Sequence, residues 1–197
     1  MGRAHSIALH SVAATFGPES GVTCPALADV SGERARQAAA SLDFERSCGD
    51  WRELVSDPQI DVVDICTPNH LHAEMALAAL AAGKHVYCEK PLALDLKESI
   101  AVAEAARSAG VVNAIGFNYI CNPMVQAARD LIQAGELGEI TGFSGNYVED
   151  YMCAPHAPFT WRCERRLAGS GALADLGSHL INMAHVLLGP IARTTGV

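Results

Sequence analysis

Asp175 and His179 stand four residues apart, just downstream of Gly169-Ser170-Gly171. On a helix that spacing puts a carboxylate and an imidazole on one face. An imidazole titrates near neutral pH, so the couple suits proton transfer; the plainer reading is a helix-surface pair. Lys90 lies in Glu89-Lys90-Pro91, where an ammonium on a proline-stiffened backbone can polarise an oxygen or lower a neighbour's pKa, or simply be a solvated charge. Thr67-Pro68-Asn69-His70-Leu71-His72 combines a rigid turn with the amino end of a helix, whose amides meet polar groups of a ligand; an ordinary capped turn has the same composition. Asp29 lies at the end of the strand candidate within the run 26–30. A carboxylate there accepts hydrogen bonds from a ribose diol and repels a 2′-phosphate, and it suits a helix cap equally well.

These groups matter only if the elements bearing them bring their ends together. Residues 4–16 mix apolar and small polar types as a helix packed on a sheet does, and 26–30 read as a short strand after Pro25. Ser31 caps a helix to about Ser41, and Asp50 with Glu53 predicts a capped turn ending at Asp57-Pro58. Residues 62–66 form a largely apolar run of strand length, and the alanine-rich stretch 69–82 predicts a helix stopped by Gly83. Strand 85–88, a helix from Asp95 to Gly110 and strand 111–116 follow. Strands alternating with helices predict an α/β fold, a doubly wound parallel sheet whose ligands lie beyond the carboxyl ends of its strands. After Asn122-Pro123 a helix to about Ala134, a long strand over 139–150 and a final helix over 171–188 are expected.

Composition excludes several classes of function. The formal charge of −8 is dispersed and no basic stripe is present, so nucleic acid is not an expected partner. No apolar run approaches the roughly twenty residues that span a bilayer, and no signal-peptide core follows Met1, which points to a cytoplasmic protein without a membrane partner. The seven cysteines are scattered, with no C-x-x-C pair, and read as reduced thiols. Of the eight histidines, His70 and His72 are closest, but two residues apart on a helix they face differently. No metal site is expected.

With these residues in place, the chain resembles the Gfo/Idh/MocA oxidoreductases, the family of glucose-fructose oxidoreductase and inositol dehydrogenase. The resemblance rests on Met1-Gly2-Arg3-Ala4-His5-Ser6, then Asp64-Ile65-Cys66-Thr67-Pro68-Asn69 with His72, and then Gly83-Lys84-His85-Val86 leading into Glu89-Lys90-Pro91. Gly116-Phe117-Asn118-Tyr119, Trp161-Arg162 and the run from Gly171 to His179 complete it. It implies a Rossmann domain over 1–119 and, over 120–197, part of a substrate and oligomerisation domain with an open, mostly antiparallel sheet. It further implies a dehydrogenase that moves a hydride between a sugar, cyclitol or polyol carbon and NAD, with NADP disfavoured by Asp29. Lys90, Asp175 and His179 match the family's catalytic trio: His179 takes the hydroxyl proton, Lys90 steadies the developing oxyanion and Asp175 orients. Gly2, Asp29, Thr67, Pro68, Asn69, His72, Glu89, Lys90, Asn118, Trp161 and Arg162 become cofactor-side candidates. The family's usual assembly implies a homo-oligomer when full-length. The same fold without turnover would be a dinucleotide-binding sensor.

The chain departs from the family pattern at three places. Only the end of the G-x-G-x-x-G loop is present, with Gly2 as its third glycine, so the first strand is expected to be lacking and Met1 falls inside a motif. That strand belongs between the ones near Ala26 and Val62, so the chain is expected to be unstable or rearranged and inactive. The second domain's sheet is expected to be largely cut away, and Ile120-Cys121 replaces the usual Arg-Tyr, which leaves the substrate contacts there open.

Overall fold

Short polar caps set the beginnings of three helices. Ser31 Oγ accepts from the Arg34 amide and starts α2 (Gly32–Leu42); Asp50 accepts from the Arg52 amide and starts α3 (Trp51–Ser56). Asn122 accepts from the Met124 amide where Pro123 opens α6 (Pro123–Gln133), satisfying an amide that the helix leaves without a partner. The computed structural model describes residues 1–196, which fall into two compact units.

The first unit comprises Met1–Thr67, Leu71–Cys88 and Lys97–Ala114. It contains α1 (Gly2–Phe16), β1 (Ala26–Ala28), α2, β2 (Arg46–Cys48), α3, β3 (Val62–Ile65), α4 (His72–Ala81), β4 (His85–Cys88), α5 (Leu96–Ala109) and β5 (Asn113–Ile115), its boundaries cutting one residue from α5 and one from β5. Its core is small-residue packing. Ala73, Met75, Ala76, Ala79 and Leu80 of α4 are buried together with Ile65 of β3 and Val86 and Cys88 of β4. Alanine on that face lets the helix backbone approach the strands closely, which is why the stretch carries so much of it. Gly83, at φ +71°, ends α4 in the left-handed region that glycine enters without strain.

The strands are parallel where the alternation requires it: β1 pairs with β2, and β3 with β4 through Val62–His85 to Ile65–Cys88. They do not form one sheet. The order is β1-β2 in one sheet and β3-β4-β5 in another, so β1 and β3 are both edges. The single doubly wound sheet expected from the alternation is therefore divided at the position where the resemblance puts a further strand. Strand β2 escapes the sequence reading because Arg46-Ser47-Cys48 carries no apolar pattern; it forms because Ala26–Ala28 offers a neighbouring edge.

The second unit comprises Pro68–His70, Glu89–Leu96 and Ile115–Val197. Its elements are the 3₁₀ turn Asn118–Cys121, α6, the 3₁₀ turn Trp161–Cys163, α7 (Arg165–Ala168), a π-helical turn Leu173–Gly177 and α8 (Ser178–Leu188). One expectation fails here. The long strand over 139–150 is not formed, and no antiparallel sheet is present among the described residues; a strand needs a ladder partner, and this unit supplies none. The expected final helix over 171–188 is formed, its first turns being the π turn Leu173–Gly177 that runs into α8. The expectation of helices at 4–16, 69–82 and after Pro123 is met by α1, α4 and α6.

Candidate functional site

Lys90 is the second residue after β4, and its peptide bond to Pro91 is cis. Its ammonium donates to the Asp175 carboxylate at 2.6 Å and to the Asp175 carbonyl at 2.7 Å. The carbonyl is within reach because Asp175 lies inside the π turn, where backbone groups leave the ordinary helical ladder. The second carboxylate oxygen accepts from the Tyr151 hydroxyl at 2.8 Å, with Arg162 Nε 3.8 Å away. Burial opposes ionisation of Asp175, but the Lys90 and Tyr151 hydrogen bonds and the Lys90 and Arg162 charges outweigh it and hold the carboxyl below its ordinary range. Asp175 is therefore an anion locked at both oxygens.

His179 is 7% exposed at the start of α8, and its Nδ1 is buried without a partner. Three rings surround the imidazole: Tyr119 at 4.7 Å, and Phe117 and Tyr147 at 5.8 Å. Tyr119 and Tyr147 share a hydrogen bond between their hydroxyls of 2.6 Å, which raises the Tyr147 pKa and keeps that phenol protonated. Burial, and then the Lys90 charge, pull His179 below the ordinary imidazole value against the opposing charges of Glu89 and Asp175. A neutral imidazole beside a fixed ammonium and a fixed carboxylate is a proton acceptor at neutral pH.

Several remaining candidates hold backbone in place. Asn69 is buried and its amide donates to the Ala168 carbonyl at 3.0 Å, tying the turn after β3 to the end of α7. His72, 1% exposed, donates from Nε2 to the Thr67 carbonyl at 2.9 Å and braces the turn from below. Glu89 is buried and accepts from the Lys90 amide at 3.1 Å. Trp161 lies under the Arg162 guanidinium at 4.4 Å, Asn118 is exposed in its 3₁₀ turn and Pro68 is half-buried. An open cleft of about 650 Å³ beside Arg162 is lined further by Arg165, Arg166 and Gly169-Ser170-Gly171. Gly2, Asp29, Thr67 and His72 belong to the first unit, whereas Pro68, Asn69, Glu89, Lys90, Asn118, Trp161, Arg162, Asp175 and His179 belong to the second. Gly2 is the first residue of α1. Asp29 does not cap α2, since Ser31 does; its carboxylate accepts from the Val30 amide and lies 3.6 Å from Arg34 Nε.

The sequence reading passed over Tyr147 and Tyr151 as site residues. The only signal was a tyrosine-bearing segment, 147–151, whose other features suggested a strand and then a variable loop. Gly116 also has a reason beyond its motif. A Cβ there would lie 2.7 Å from Glu89 Oε1. Gly116→Ala is expected to push the buried carboxylate aside at a cost of about 1–3 kcal/mol, read as a lower midpoint in urea unfolding; an unchanged midpoint would show that Glu89 moves freely.

The first unit is a parallel α/β unit, and the second pins an acid to a lysine beside a buried imidazole. The chain belongs to the Gfo/Idh/MocA family: residues 2–117 match the model of the oxidoreductase family with an NAD-binding Rossmann fold, and 125–197 match the GFO/IDH/MocA C-terminal domain. Levoglucosan dehydrogenase of Pseudarthrobacter phenanthrenivorans is 42% identical over all of this chain and 51% of its own length. The scyllo-inositol 2-dehydrogenase (NAD(+)) of Bacillus subtilis is 35% identical over 79% of this chain and 43% of its own. Among solved structures, levoglucosan dehydrogenase in complex with NADH and levoglucosan superposes with a TM-score of 0.92 at 44% identity, covering 96% of this chain and 51% of that one. An inositol dehydrogenase homologue from Azotobacter vinelandii, complexed with NAD+, gives 0.76 at 30% identity, covering 92% and 49%. The chain spans about half the length of the relatives it matches.

Proposed function

We propose that the protein is an NAD-dependent dehydrogenase that oxidises a secondary hydroxyl of a sugar, anhydrosugar or cyclitol. The observation that carries this reading is the Lys90–Asp175 pair beside a buried, neutral His179. The imidazole accepts the hydroxyl proton, Lys90 stabilises the oxygen as its charge develops, and Asp175 fixes the ammonium in place while Tyr151 fixes Asp175. A bound NAD would supply the hydride acceptor for the same carbon. Gly2 at the head of α1 and Asp29 after β1 are residue types that fit a dinucleotide: a Cβ on Gly2 would meet nothing nearer than 4.0 Å, and the Asp29 carboxylate is of the type that accepts from a ribose diol. Thr67, Pro68, Asn69, His72, Glu89, Asn118, Trp161 and Arg162 complete the cofactor side, partly by bracing backbone. Residues 1–119 serve as the nucleotide half, and 120–197 belong to the substrate half, of a cytoplasmic homo-oligomer. No helix among the described residues is long and apolar enough to cross a membrane.

The test is NAD reduction by the protein at the length of its relatives, across a panel of anhydrosugars, aldoses and inositols. Turnover of one class supports the reading. NAD binding with no turnover on any of them favours the sensor. A second measurement addresses the cofactor: Asp29→Ser is expected to narrow the preference for NAD over NADP by about tenfold or more, equivalent to ~1.4 kcal/mol, as the charge facing a 2′-phosphate is removed. An unaltered ratio of kcat/KM for the two cofactors would remove Asp29 from the ribose site.

A further inference from the structure

The first unit holds one cluster of ligating side chains that the proposed reaction does not use. His5 projects from the first turn of α1, and Asp64 and Cys66 lie two residues apart at the end of β3, so their side chains share a face of the strand. His5 Nδ1 is 2.9 Å from Asp64 Oδ2 and 3.1 Å from Cys66 Sγ, and Cys66 Sγ is 3.5 Å from Asp64 Oδ1. All three donor atoms fall within 4.8 Å of one another. The His5 and Asp64 side chains are 15% and 26% exposed, and the Tyr87 ring packs edge-on against the imidazole at 5.5 Å.

We propose that His5, Asp64 and Cys66 form a binding site for a divalent cation of the zinc class, clipping the amino end of α1 to the carboxyl end of β3. The dimensions fit. A tetrahedral zinc at about 2.0 Å from nitrogen and oxygen and about 2.3 Å from sulfur separates its ligands by roughly 3.3–3.6 Å, so the present atoms need to spread by only a few tenths of an ångström. The charges fit as well: a dication with one carboxylate, one thiolate and a neutral imidazole is electrically balanced. The mixed nitrogen, oxygen and sulfur donors suit zinc rather than magnesium or calcium, which take oxygen ligands. Without a cation, His5 Nδ1 faces both Asp64 oxygens and Cys66 Sγ, and the thiol donates to Asp64 Oδ1, so the three donor atoms already face one another. On binding, the cation displaces the thiol proton and any proton on Nδ1 to solvent, with no change of oxidation state. The clip takes no part in the proposed dehydrogenase reaction, although it adjoins Gly2, where an added Cβ would lie 4.0 Å from Cys66 Cβ, and Thr67.

The experiment titrates the metal-free chain with Co²⁺ and, separately, with Zn²⁺. One equivalent of cobalt is expected to produce a thiolate-to-cobalt charge-transfer band in the near ultraviolet. Cys66→Ser abolishes that band and His5→Ala weakens binding by tenfold or more. Because a variant at the head of α1 can lose its fold, alkylation of the unaltered chain read by mass spectrometry supplies an independent result: Zn²⁺ protects Cys66 from the reagent and leaves exposed Cys121 and Cys153 reactive. Absence of the band, its persistence in Cys66→Ser, or alkylation of Cys66 at an unchanged rate would each overturn the proposal.

Discussion

Lys90→Met, in the protein at the length of its relatives, is expected to lower kcat by about 10²–10⁴-fold, with a much smaller change in KM. Methionine keeps the length of the stem and removes the cation. Two effects follow from the geometry. The developing oxyanion loses its stabilising charge, and Asp175 loses the donor that holds both its carboxylate and its carbonyl. The pH profile separates this from a loss of fold. Lys90 is one of the causes that keep His179 below the ordinary imidazole value of 6.5. Its removal leaves the imidazole facing the Glu89 and Asp175 charges unopposed, so His179 binds its proton more tightly. A base must be neutral to act, so the acid limb of the rate profile moves to higher pH in the variant. His179 followed by NMR titration should show the same upward shift. A variant with wild-type kcat, or with an acid limb that stays in place, would dismiss Lys90 from the mechanism.

How much of this was legible in the sequence depends on the range of the interaction. The helices α1, α4 and α6 and the strands β1, β3, β4 and β5 were readable because alanine runs, apolar runs and caps act over a few residues. Lys90, Asp175 and His179 were legible as types at strand and helix ends, but their convergence joins positions 85 residues apart and no spacing rule reaches that far. Tyr151 was invisible for the same reason, since its role exists only once Asp175 has been folded toward it. The reading of Asp175 and His179 as helix neighbours used an approximate geometry, because Asp175 lies within a π turn that runs into α8. The histidine spacing argument against a metal considered near neighbours such as His70 and His72, whereas the His5 cluster joins positions as far as 61 apart. The strand over 139–150 was misread because apolar alternation reports a tendency, and a ladder partner decides the outcome.

The divided sheet yields the second large expected effect. A chain extended at its amino end by an apolar segment of strand length should unfold at a temperature ~10 °C or more above this one. Both β1 and β3 are edges, and Val62 at the head of β3 is 55% exposed although it belongs to an apolar strand. A strand placed between them pairs on both sides at once, each hydrogen bond contributing about 0.5–1.5 kcal/mol net. Each apolar side chain it buries adds about 1.5–3 kcal/mol. Ordering the new residues costs about 1–2 kcal/mol apiece, which the two ladders roughly offset, so the surplus comes from the buried side chains and amounts to ~3–6 kcal/mol. In a domain of this size about 1 kcal/mol moves the midpoint by ~2–4 °C. The gain is specific to the position between the two edges. Placing a proline at the centre of the added segment removes a ladder donor and should abolish most of the rise, whereas the same segment appended at the carboxyl end should leave the melt unchanged. Equal, cooperative melting of the extended and unextended chains would mean that β1 and β3 do not receive a strand between them, and that the break in the sheet belongs to the fold itself.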